Sequence, residues 1–102
     1  MSTINRTPAA GLDPIRKAIK TLDRLVKEEA SYHVELADQK RRIIKTEERI
    51  KSLGENAEEE GNEIWMLKQE RMACAETERV LETMPKVTRG AMQKLEELVV
   101  SY

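Results

Sequence analysis

The sequence predicts an all-α fold. The expected architecture is a long antiparallel helical hairpin, or left-handed coiled-coil bundle, whose second arm is kinked or broken at Pro85. A short third helix is the alternative there. Three observations carry this. Charged residues make up 36% of the 102 residues and aromatics only 3%, and the β-branched residues are scattered, so no strand pattern competes with the helix formers. A stripe spaced by threes and fours runs through Ile15, Ala18, Leu22, Leu25, Glu29, Tyr32, Leu36, Gln39, Ile43, Thr46, Ile50 and Leu53, nine of the twelve apolar. A second stretch of similar length follows a turn rich in glycine and glutamate.

Residues 1–12 are polar, contain Pro8 and Gly11, and read as a disordered N-terminal tail. The remaining residues, 13–102, read as a single helical domain. Asp13-Pro14 is a helix-start signal, since Asp accepts free backbone N–H groups and Pro at the first helical position loses nothing. The first helix is expected over 13–53, a rod of roughly 60 Å at about 1.5 Å per residue. Such a one-sided rod needs a second helix along its length. Gly54 supplies the left-handed conformation that ends a helix, with Lys45, Arg49 and Lys51 complementing the dipole.

Residues 54–61 read as a solvated turn with four glutamates. Either Asn62 caps the second helix, or Asn56 does, with Glu59 completing a capping box. The second arm is expected over 62–101, with a stripe of Ile64, Leu67, Cys74, Val80, Met84, Val87, Ala91, Leu95 and Leu98. Pro85 removes a hydrogen bond from it. The residues from Val80 to Tyr102 nevertheless keep one phase across the proline, which favours a kinked arm over a separate helix. Glu29, Gln39 and Thr46 are polar in the first stripe and weaken a dry seam, or fix its register.

Net charge is −1, which argues against general nucleic-acid binding. That total hides an asymmetry: residues 1–53 hold 12 Lys/Arg and 8 Asp/Glu, a balance of +4, whereas residues 54–102 hold 6 and 11, a balance of −5. Arms of opposite sign attract when they lie side by side, modestly and less so in salt. A single cysteine, Cys74, allows no intramolecular disulfide and fits a reducing compartment. No signal peptide or membrane span is legible, so a cytoplasmic protein that does not enter a membrane is expected.

Catalytic signals are absent from the sequence. His33 is the only histidine and reads as a surface residue; Cys74 reads as a small buried hydrophobe. There is no metal-ligand, phosphate-loop or calcium-loop pattern, and the chain reads as a binding protein rather than an enzyme, with no cofactor. Lys40-Arg41-Arg42 reads as a solvated face, or as a docking surface for an acidic partner. Trp65 is expected to pack at the hairpin end, with an exposed anchor as the alternative, and Met66, Met72, Met84 and Met92 are expected to fill the core.

Arg24-Leu25-Val26-Lys27-Glu28-Glu29, then Tyr32, Glu35 and Gln39, resembles the first helix of the tubulin-binding cofactor A family. Leu67-Lys68-Gln69-Glu70-Arg71 resembles the opening of that family's second helix, and Glu76-Thr77 and the closing Leu95, Leu98 and Val99 fall at matching offsets. The likeness covers residues 15–99. It implies a cytoplasmic, cytoskeleton-associated chaperone that binds β-tubulin and holds it for the αβ-tubulin dimer without nucleotide hydrolysis, with other tubulin-folding cofactors as further partners. By position it nominates Arg24, Lys27, Glu28, Glu35, Gln39, Lys68 and Gln69 as partner contacts. The sequence departs from the family in a later proline, a longer turn and the absence of a further helix after Tyr102, which leaves a closed three-helix bundle open. The alternative function is a structural coiled-coil module that forms a homodimer or pairs with another helical protein.

Overall fold

The computed structural model describes the backbone of residues 2–54 and 57–102 and the side chains of residues 11–54 and 58–102. Two α-helices account for the described chain: α1, Ser2–Leu53, and α2, Ala57–Ser101. No strand occurs among the described residues, and the all-α helical hairpin expected from the sequence is the observed fold. Gly54 has φ 63°. That is the left-handed region where a side chain is strained, so α1 stops at Leu53 as expected.

Both helices extend beyond the expected limits. α1 starts at Ser2 rather than Asp13, so the segment expected as a tail is helical from Ser2 onward. Asp13 is not a cap; its carboxylate faces Arg16 at 3.7 Å, and α1 continues across Pro14. Packing extends beyond the apolar stripe as far as Gly11. Gly11 and Leu12 are half-buried, and the Tyr102 ring lies so close to Gly11 that an added Cβ would meet its Cε2 at 2.8 Å.

α2 starts at Ala57, which shortens the expected turn and places Asn62 inside the helix. Glu58, Glu59 and Glu60 occupy its first turn, where their charge opposes the positive end of the dipole. The alternative cap, Asn56, lies outside the described residues. Pro85 is within α2, which runs on to Ser101 as one element, and the short third helix does not form.

The chain packs as two units, Met1–Glu29 with Thr83–Tyr102, and Ala30–Glu82. Within Ala30–Glu82 the helices run antiparallel: Arg49 pairs with Glu63, Glu47 with Arg71 and Thr46 with Glu70, with higher numbers on α2 facing lower ones on α1. These cross-helix pairs join the basic arm to the acidic one. Within the other unit Leu25 and Met84 are buried, and an open groove of about 480 Å³ is lined by Pro14, Lys17, Ala18 and Thr21 of α1 and Gly90, Ala91, Lys94 and Leu98 of α2.

All twelve stripe positions of α1 are buried or half-buried, as the spacing predicts. The α2 seam keeps seven of its nine expected positions, Leu67, Cys74, Val80, Met84, Ala91, Leu95 and Leu98, buried or half-buried. Its shielded positions include Glu60, Glu63, Leu67, Glu70, Cys74, Thr77, Leu81, Met84, Thr88, Ala91, Leu95 and Leu98, again by threes and fours. Ile64 and Val87 are exposed instead, and of the four methionines assigned to the core only Met84 is buried. Five of the twelve seam positions are therefore Glu or Thr. The other seven are apolar, so the apolar stripe marks the α2 seam and polar residues complete it.

Candidate functional site

Among the described residues, the buried hydrophobic side chains are Leu25, Leu67, Cys74 and Met84. A core this small gains stability from any partner that covers more apolar surface. The seam is also unusually polar. Thr46 is 0% exposed, and its hydroxyl lies 2.9 Å from the Arg42 carbonyl and 3.0 and 3.2 Å from the two Glu70 carboxylate oxygens. One hydroxyl has one proton, so it serves these acceptors in turn while accepting a hydrogen bond from Arg49 at 3.0 Å. Arg49 also donates from Nε to Glu63 at 3.2 Å. This network closes the turn end of the hairpin and fixes which residues face each other. Nothing in it forms a pocket for a small molecule.

Cys74 is buried, as expected. Burial raises its thiol pKa above the ordinary value, and so does Glu78, whose carboxylate accepts its hydrogen bond at 3.6 Å and repels the thiolate; Lys40 opposes the rise. His33 is exposed. No group of three or more His, Cys, Asp or Glu side chains suited to a metal ion occurs among the described residues.

Of the contact candidates, Arg24, Lys27, Glu28, Glu35, Lys68 and Gln69 are exposed, and Gln39 is not. Gln39 is 6% exposed, with its Oε1 buried and unpaired, so it belongs to the helix–helix interface. Arg24 and Glu28 form an i,i+4 ion pair at 3.5 Å. Arg24, Lys27 and Glu28 belong to one unit and Glu35, Lys68 and Gln69 to the other.

For Trp65 the alternative expectation, an exposed anchor, is the one observed. Trp65 is 63% exposed and does not pack at the hairpin end; Ile44, Ile64 and Met72 are also exposed. Lys40, Arg41 and Arg42 point to solvent, with Arg41 paired to Asp38. The signal for Trp65 was present in its neighbours: it lies off the three-four seam that Glu63, Leu67 and Glu70 define. No described helix is long and apolar enough to cross a membrane.

Comparison with known proteins adds the family. No curated protein and no solved structure gives a significant match. The profile of one family, Tubulin binding cofactor A, matches residues 11–102, essentially the whole chain and both helices of the hairpin. The chain is a member of the tubulin binding cofactor A family.

Proposed function

We propose that this protein is a chaperone that captures β-tubulin and holds it for assembly into the αβ-tubulin dimer, without nucleotide hydrolysis or a cofactor. The observation that carries this reading is the family match over residues 11–102. It is supported by a surface that offers exposed helical faces dense in charge. The proposed setting is the cytoplasm, in association with the cytoskeleton, with other tubulin-folding cofactors as the partners that take the client onward.

The test is a pull-down with purified, folded β-tubulin at low and high salt. A complex that weakens as salt rises is expected, because charged side chains would rim the contact. No complex at low salt overturns the reading. Charge reversal at Lys27 or Lys68 should weaken the complex while helicity is unchanged; unaltered affinity removes that residue from the contact surface.

A second reading is a coiled-coil module that pairs with itself or another helix, and the exposed Trp65, Met72 and Val100 favour it. Sedimentation across a concentration series separates the two. A homodimer that persists when β-tubulin is added supports the module.

A further inference from the structure

We propose that the face of α2 formed by Ile64, Trp65, Lys68, Arg71, Met72 and Ala75 is the client-docking groove, and that its occupant is an amphipathic helix of the client with acidic residues flanking its apolar ridge. The proposal rests on the tubulin-binding reading above.

The face is built by spacing. Ile64, Lys68, Arg71 and Ala75 follow one another by fours and threes, and Trp65, Lys68, Met72 and Ala75 interleave with them, so all six share one side of the helix. They lie beside the seam rather than in it. Five of them, with Leu67 as the floor, line an open groove of about 460 Å³. Trp65 stands at its edge, 63% exposed, and Met72 is 57% exposed. An exposed Trp with an adaptable Met beside it is the side-chain chemistry of a protein-binding hot spot, and a groove along a helix suits an apolar ridge at i, i+3, i+4 and i+7.

Charge selects the occupant. The arm from residue 54 onward is acidic overall, yet between Ile64 and Ala75 the only acid is Glu70, which is turned into the seam against Thr46. Lys68 and Arg71 are left on the exposed face. Arg71 reaches across to Glu47 of α1 at 3.9 Å, which joins this edge to the run Lys40-Arg41-Arg42-Ile43-Ile44-Lys45, where no acid occurs. Neither Lys40 nor Lys68 has an ion-pair partner among the described residues. An apolar groove edged by the unpaired Lys68 and by Arg71, with no acid of its own on that face, favours a ligand whose flanks are acidic, and disfavours a basic one.

The test measures affinity of the full chain for purified β-tubulin, with circular dichroism on each variant. Trp65→Ala and Lys68→Glu are each expected to weaken binding by about tenfold or more, with helicity unchanged because both side chains are exposed. Ala73→Gln, on the far side of α2, should leave affinity unchanged. A photo-crosslinking residue in place of Met72 should label an acidic helical segment of β-tubulin. Full affinity in both Trp65→Ala and Lys68→Glu overturns the groove. Crosslinks that fall on a basic segment, or between two copies of this chain, overturn the assigned occupant. Failure of the unmodified chain to bind β-tubulin overturns the functional reading itself, and is distinguished because it appears before any substitution is made.

Discussion

The Thr46 hydroxyl on α1 sits 3.0 Å from Oε2 of Glu70 on α2, with the Thr46 side chain wholly shielded from solvent. The two residues are 24 positions apart, so this contact records the hairpin register directly. Thr46→Val keeps the shape and removes the hydroxyl, leaving a half-buried carboxylate short of one donor. The expected loss is about 1–3 kcal/mol in urea unfolding. Replacing both partners, Thr46→Val with Glu70→Leu, should recover much of it, since no polar group is then stranded. A double variant as unstable as the single one would show that the pair does not act as a unit.

Glycine positions separate strain from space. Gly54 has φ 63°, and Gly54→Ala should lower stability by about 1 kcal/mol because the methyl-bearing residue is strained there. Gly61 and Gly90 are helical, and a Cβ at either meets nothing within 4 Å. Gly61→Ala and Gly90→Ala should each raise stability, by up to about 1 kcal/mol. Thermal melts of the three variants check the signs. A stabilising Gly54→Ala would remove the left-handed stop from the account of α1.

Cys74 should react slowly. Its thiol is buried, and that burial and Glu78 raise its pKa above the ordinary thiol value. Alkylation by iodoacetamide near neutral pH should be slow in the folded protein and fast in urea. The sign of the pH effect follows from the raised value. The folded state holds the thiol proton more tightly than the unfolded chain. The contribution of Cys74 is therefore fully present below the unfolded thiol pKa and is lost as pH rises through the folded one. The stability difference between the native chain and Cys74→Ala should shift against the native chain in that alkaline window. A constant difference would contradict it.

Gln39 tests its place in the helix–helix interface. Its Oε1 is buried without a hydrogen-bond partner, so Gln39→Leu removes an unpaid desolvation cost and should stabilise the hairpin by about 1 kcal/mol or more. Affinity for β-tubulin should be unchanged, because the side chain lies in the seam. A weakened complex with a stable fold would place Gln39 on the contact surface.

How much of this was legible in the sequence differs between the helices. The twelve positions from Ile15 to Leu53 mark the α1 seam without a miss, because one apolar stripe dominates that helix and only one face can be buried. On α2 two stripes compete. Ile64, Trp65 and Met72 made one face apolar, while the face that is buried carries Glu63, Glu70, Thr77 and Thr88. Periodicity marked seven of the nine α2 positions it named, and passed over the buried Glu and Thr because they carry no apolar signal.

The sequence by itself determined the helix type, the stop at Gly54, the α1 seam and, through the Arg-Leu-Val-Lys-Glu block, the family. Only the tertiary structure decided that Glu60, Glu63, Glu70, Thr77 and Thr88 join the α2 seam, and that Trp65 is left on the surface. The reason is that helix formation and chain reversal are local, set by neighbouring residues. Burial of polar residues on α2 depends instead on partners distant in the chain: Thr46 and Arg49 of α1 supply the hydrogen bonds that Glu70 and Glu63 need in the seam.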